Sequence, residues 1–248
     1  DNQTENDWAV VFGKNSLTVE MASHCDARKI YFDVNCLDTL LPHLHKDGSV
    51  IVQHEHDRTT PVASLDSFSL LGQHNQSNAL AATAVSTLMG ISQEQIEGVF
   101  AQFSGLPHTL EKVQEIEGIH FYNDSKATNI QAVKAALASF DSPIVLILGG
   151  RLKGDDPRDL CDAVKVGVRQ VFAIGENREI LKKALSDVVV VEDCESLEVA
   201  VKKAYIRSSS GDVVLFSPAG SSFDMYRDYQ QRGDDFRRIV GRLAETSR

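Results

Sequence analysis

The sequence predicts an α/β protein, with a mostly parallel sheet flanked by helices in its second half and a smaller α/β segment before it. Three observations carry this reading. From Pro107 onward, short apolar runs alternate with helical patterns, and that rhythm gives parallel strands joined by crossover helices. The apolar runs are continuous, as befits strands buried on both faces. The stretch Ser104-Gly105-Leu106-Pro107 breaks the pattern with turn-forming residues and marks a boundary. We therefore expect domains at 1–106 and 107–248.

In the first domain, strand-like runs are expected at 8–12, 29–32, 49–53 and 65–70, separated by polar turns. An alanine-rich helix follows at about 74–89 and stops at Gly90. A second helix starts at Ser92, with Gln95 three residues later as in a capping box, and ends near Phe103. In the second domain, strands are expected at 119–122, 144–148, 170–174, 188–191 and 213–216. Helices are expected at about 129–139, 157–165, 178–185, 196–207 and 224–243.

The chain has 248 residues, 42% of them hydrophobic and 24% charged, which is enough for a core without disulfides or metals. Lys plus Arg total 25 against 35 Asp plus Glu, a formal charge of −10. That acidity argues against nucleic acid as a partner, although local lysines can still hold a small anion. There is no apolar run of membrane-spanning length and no basic-then-apolar leader, so a cytoplasmic protein without a membrane partner is expected. Cys25, Cys36, Cys161 and Cys194 make no C-x-x-C pair and are read as reduced thiols.

Ligands of an open α/β sheet bind beyond the carboxyl ends of its strands. Here those ends carry Asn123-Asp124-Ser125-Lys126-Ala127-Thr128-Asn129, then Gly149-Gly150-Arg151-Leu152-Lys153-Gly154, then Gly175-Glu176-Asn177, then Ser217-Pro218-Ala219-Gly220-Ser221-Ser222-Phe223-Asp224. Glycines admit a ligand close to the backbone, and Lys126 and Lys153 offer point charges for phosphate or carboxylate. The same residue types also make ordinary turns and caps. Asn75 and Asn78 share a helix face, and their amides suit either a purine edge or N-capping. Gly13-Lys14-Asn15-Ser16 lacks the upstream glycine and the hydroxyl residue of a phosphate loop. His43, His45, His54 and His56 are read as solvated surface histidines, so no metal ligand is expected in this chain. A dinucleotide-binding dehydrogenase is disfavoured because no strand is followed by Gly-x-Gly-x-x-Gly.

The segments Gly72-Gln73-His74-Asn75-Gln76-Ser77-Asn78, Gly105-Leu106-Pro107-His108, Asn123–Asn129, Leu148-Gly149-Gly150 with Lys153-Gly154, Ser217-Pro218-Ala219 with Ser221-Ser222-Phe223-Asp224, and Arg232-Gly233 together resemble the Mur ligase family, in order and spacing throughout. The resemblance implies the remainder of a central α/β ATPase domain followed by a Rossmann-like C-terminal domain. A UDP-binding domain, a phosphate loop and the Mg2+ ligands would lie upstream of Asp1, so the chain alone would not complete the reaction. It also implies an ADP-forming ligase of peptidoglycan precursor synthesis, joining D-glutamate to UDP-N-acetylmuramoyl-L-alanine through an acyl phosphate, and acting as a monomer. By the same resemblance, Asn75, Asn78, Asp124 and Lys126 would contact ATP. Thr128, Lys153, Ser222, Phe223 and Tyr229 would hold D-glutamate, and Lys126 and Lys153 would be the catalytic cations. Two positions depart from the family pattern: Thr109 stands where an arginine usually reaches the ATP phosphates, and Phe12-Gly13-Lys14-Asn15 replaces an Asn-x-Asp-Asp-like turn. The alternative is a non-catalytic ligand-binding module that kept this fold.

Overall fold

The computed structural model describes residues 2–33, 42–55 and 58–246. The chain divides into two compact units, Asp1–Ser104 and Gly105–Arg248.

The first unit holds a five-stranded sheet of β1 (Trp8–Phe12), β2 (Arg28–Phe32), β3 (His43–Asp47), β4 (Val50–Glu55) and β5 (Arg58–Ser64), in that spatial order. β1, β2 and β3 run parallel, and β3, β4 and β5 form an antiparallel meander. Two long helices, α2 (Gln73–Leu88) and α3 (Gln93–Gln102), supply Ala79, Leu80, Ala84, Ile96 and Phe100 to a core with Ile30, Leu44, Ile51 and Ala63. The short α1 (Ser16–Ser23) buries Ala22 against Val11 and Tyr31. The Gly13-Lys14-Asn15-Ser16 stretch is the entry to α1, where Asn15 accepts from the N–H groups of Leu17 and Thr18 and Lys14 pairs with Asp33 at 2.6 Å.

Three features of this unit differ from expectation. The apolar stretch 65–70 is a turn, and the strand precedes it as β5. Leu65 and Phe68 still pack on the core, with the Phe68 ring edge-on to Phe100 at 5.2 Å. Strand β3 and helix α1 were not foreseen. The histidines are also less solvated than expected: His43 is only 4% exposed and His45 and His54 are half-buried, while His56 lies outside the described residues. Cys25 and Cys161 are half-buried free thiols, Cys194 is buried, and Cys36 is likewise outside the described residues.

The second unit holds a six-stranded sheet in the order β10-β9-β8-β11-β7-β6. Its strands are β6 (Glu111–Ile116), β7 (Ile119–Asn123), β8 (Ile144–Gly149), β9 (Val168–Ile174), β10 (Val190–Asp193) and β11 (Val213–Ala219). All neighbours are parallel except β6, which pairs antiparallel with β7 at the edge. Every residue of β8 and β11 is buried, in keeping with the unbroken apolar runs IVLIL and VVLF with which they begin. Helices α4 (Ile130–Leu137), α5 (Cys161–Gly167) and α6 (Arg178–Leu185), with the 3₁₀ turn Pro157–Leu160, cover one face. Helices α7 (Leu197–Arg207) and α8 (Tyr229–Thr246) cover the other, packing Leu197, Val201, Phe236 and Ile239 on Phe121, Phe172 and Phe216. Helix α8 begins at Tyr229, later than the expected 224, because Ser222–Asp228 turns before the helix is set.

Adjacent strands β8 and β11 feed helices on opposite faces of the sheet. The chain therefore diverges at their carboxyl ends, and the resulting crevice is where such sheets bind ligands.

Candidate functional site

Three loops meet at that crevice, and backbone hydrogen bonds fasten them together. The loop after β7 is tied to β11 by the Ala219 N–H donating to the Ala127 carbonyl at 3.0 Å. The loop after β8 is tied to the loop after β11 by a reciprocal pair between Arg151 and Ser221, at 2.9 and 2.8 Å. Lys153 Nζ donates to Thr128 Oγ1 at 3.4 Å, closing the triangle with side chains.

Glycines permit this convergence. A Cβ on Gly150, whose φ is +95°, would lie 2.4 Å from the Ser221 carbonyl. One on Gly149 would lie 2.3 Å from the Ile174 carbonyl, so neither position has room for a larger residue.

Arg232 fixes the arrangement from beneath. It is 2% exposed, and donates from Nε to Ser125 Oγ at 3.0 Å, from Nη1 to the Gly220 carbonyl at 3.0 Å and from Nη2 to the Ser125 carbonyl at 2.7 Å. Burial pushes its guanidinium down to about 10, still fully charged at neutral pH. Its planar fork reaches three acceptors on two loops from three separate nitrogens, a fixed geometry that the point-like ammonium of a lysine lacks. Ser125 Oγ in turn donates to the Tyr229 carbonyl at 2.8 Å.

Of the residues expected to hold D-glutamate, Thr128 and Lys153 are in contact, and Ser222, 3% exposed, follows the Arg151–Ser221 link directly. Phe223 is next in the chain and 68% exposed. Tyr229 is half-buried, with its ring edge-on to His108 at 6.1 Å. Lys126 and Lys153 are both exposed cations on neighbouring loops.

Asp124 has a different setting from that expected of a nucleotide ligand. It is 6% exposed, and its two carboxylate oxygens accept from the Leu110 N–H at 3.1 Å and Ser217 Oγ at 2.7 Å. Desolvation pushes its carboxyl up to about 6 despite those bonds. The group thus faces the fold and braces the loop 108–110, where His108 and Leu110 have φ of 62° and 44°.

The expected adenine-side residues, Asn75 and Asn78, belong to the first unit. Asn75 Nδ2 donates to the Leu71 carbonyl at 2.8 Å. Asn78 lines a cleft of ≈ 710 Å³ at the carboxyl ends of β1 and β2 and the start of α2, with Lys14, Lys46, Gln76 and Ser77. Neither asparagine caps α2, whose N-cap is Gly72. Among the described residues no group of three or more carboxylates draws together.

Sequence reasoning did not foresee the bracing roles of Arg232, Arg151 and Asp124, nor the network around His108. There Asn123 Nδ2 lies 3.0 Å from His108 Nδ1, and Glu111 accepts from the His108 N–H and from Arg237. Arg232-Gly233 was visible as a motif. Its function was not, because burial of an arginine is a tertiary fact.

Residues 110–220 match the family model "Mur ligase, glutamate ligase domain". The chain is 46% identical over 176 residues to the UDP-N-acetylmuramoylalanine–D-glutamate ligase of Desulfovibrio desulfuricans, covering 71% of this chain and 41% of that protein. It is 39% identical over 246 residues to the enzyme of the same name from Natranaerobius thermophilus, covering 98% and 53%. The chain thus spans about half the length of the relatives it matches. Among solved structures, it superposes on a murein peptide ligase from Psychrobacter arcticus with a TM-score of 0.61 at 17% identity, covering 97% of this chain and 51% of that one. The UDP-N-acetylmuramate-alanine ligase of Thermotoga maritima gives 0.62, also at 17%, covering 96% and 51%. These structural matches establish the fold. The family match and the sequence relatives lead to one conclusion: residues 110–220 form a Mur ligase glutamate ligase domain, within a chain that is similar to Mur ligases along its length.

Proposed function

We propose that this chain carries the amino-acid-binding part of an ATP-dependent, ADP-forming ligase that joins D-glutamate to UDP-N-acetylmuramoyl-L-alanine in peptidoglycan precursor synthesis. The observation that supports it most is the meeting of Thr128, Lys153 and the Ser221-Ser222 turn at one crevice. A dicarboxylic amino acid needs a cation and hydroxyl donors held a few ångströms apart, with its amine left free. Charge-assisted bonds from Lys153 to a carboxylate are about twice as strong as neutral ones, while Thr128 and Ser222 supply donors that can follow its geometry. Phe223 and Tyr229 would border the aliphatic part of the ligand.

In this reading the carboxylate of the UDP-linked substrate takes the γ-phosphoryl group of ATP and ADP leaves. The amine of the bound D-glutamate then attacks the acyl phosphate, forming the amide as inorganic phosphate and a proton are released. Positioning of that amine and neutralisation of phosphate charge would be the work of the protein. Lys126 and Lys153 are the cations assigned to those tasks. ATP, with Asn75 and Asn78 as its adenine-side contacts, and Mg2+ held by other residues belong to the same proposal. So do action as a monomer and a cytoplasmic location. Asp124 is assigned a positioning role through the loop 108–110.

Calorimetric titration of the chain with D-glutamate tests the binding half of the proposal. Saturable binding is expected, stronger for the D than the L enantiomer. Lys153→Ala should weaken it by about 1.5–3 kcal/mol, the loss for a hydrogen bond to a charged group, or roughly 10- to 150-fold. Superimposable isotherms for the wild type and Lys153→Ala would refute it.

A further inference from the structure

The first unit carries a cluster that the ligase reading does not use. On the β3–β4 hairpin, His43 lies directly opposite His54 in the register, and His45 is two residues along the same strand. Strand periodicity places all three on one face, opposite the Leu44 and Ile51 face that packs on α2 and α3. The rings stand in a tight group, with centroids 4.8 Å apart for His43 and His54, 4.6 Å for His45 and His54 and 5.7 Å for His43 and His45. One ring nitrogen from each lies within 4.8 Å of the others.

Such a cluster is poor chemistry without a guest. His45 Nδ1 is buried with no hydrogen-bond partner, and an orphaned buried ring nitrogen calls for an explanation. His54 Nδ1 lies 2.8 Å from Thr59 Oγ1 across β5. When Nδ1 donates that bond, Nε2 presents its lone pair, which is how second-shell oxygens usually set the tautomer of a metal-bound histidine.

We propose that His43, His45 and His54 form a three-imidazole site for one borderline divalent transition-metal ion of the Zn2+ class. Neutral imidazoles suit Zn2+, Co2+, Ni2+ or Cu2+, whereas Mg2+ prefers oxygen. Zn–N bonds of ~2.0–2.1 Å set tetrahedral nitrogens roughly 3.4 Å apart, so side-chain rotation of about an ångström draws the three rings onto an ion. His45 also lines the cleft at the ends of β1 and β2, which leaves a fourth coordination position accessible from solvent.

The test is a titration of the chelator-treated chain with Zn2+ by calorimetry and with Co2+ by visible absorption. One equivalent should bind per chain, micromolar or tighter, with a cobalt spectrum lacking a thiolate charge-transfer band. Saturating Zn2+ should raise the unfolding temperature, and Mg2+ should do neither. His45→Gln and His54→Gln avoid the buried His43, and each should weaken uptake at least ~10-fold, the lower end of what even an outer-shell partner costs. His24→Gln, outside the cluster, should leave it unchanged. Absence of saturable uptake, a thiolate band, or wild-type affinity in either cluster variant would overturn the proposal.

Discussion

Asp124 illustrates how a single side chain can be held at a cost for the sake of its neighbours. Its carboxyl titrates near 6 in the fold against an ordinary value of 3.8. Between those values the folded chain holds a proton that the unfolded chain has already released. Stability from this group is therefore fully present below about pH 4 and declines as pH rises through 6. The total is of the order of 3 kcal/mol, taking about 1.4 kcal/mol per pKa unit. Asp124→Asn keeps an acceptor for the Leu110 N–H and turns its amide toward Ser217 Oγ, with no proton to lose. Urea unfolding of the second unit should show the variant gaining on the wild type from pH 4 to pH 7. Parallel stability curves would show that the raised carboxyl has been misjudged.

At the scale of elements, helix α3 is set by its first turn. Ser92 Oγ accepts from the Gln95 N–H at 3.4 Å, and Gln95 Oε1 accepts from the Ser92 N–H at 3.1 Å. Ser92→Ala removes one side of this box and should cost about 1 kcal/mol. Trp8, the one tryptophan, stands in β1 of the same unit, so its fluorescence can follow the loss. An unshifted denaturation midpoint would count against the cap. This box was legible in the sequence because capping is a local pattern of spacing. The buried strands β8 and β11 were legible because burial on both faces imposes a continuous apolar run. Strands β3, β5 and β6 were not. RTTPVAS and EKVQEI are polar because β5 and β6 are edge strands, whereas β3, the central strand, reads as polar because its HLHKD sequence carries two histidines and a charged end. The apolar 65–70 stretch drew the assignment that belonged to β5. At the candidate site, the placement of Lys153 and Thr128 at strand ends could be read from order alone. Arg232 could not, since nothing local tells an arginine in a surface helix from one buried beneath two loops.

The whole chain is two folding problems rather than one. The second unit has a core cluster on each face of its sheet, with residues drawn from within Gly105–Arg248, which suits autonomous folding. A polypeptide of residues 105–248 should melt cooperatively and keep a native far-ultraviolet spectrum. A broad, non-cooperative melt would mean that its two clusters do not suffice. One further consequence follows from the hydrogen-bonded seam between Arg151 and Ser221. Since folding itself locks these loops, little conformational freedom is left for a ligand to quench on arrival. Recognition there should be that of a rigid mould, in which discrimination between mirror-image amino acids comes from shape fixed beforehand and not from adaptation around the guest.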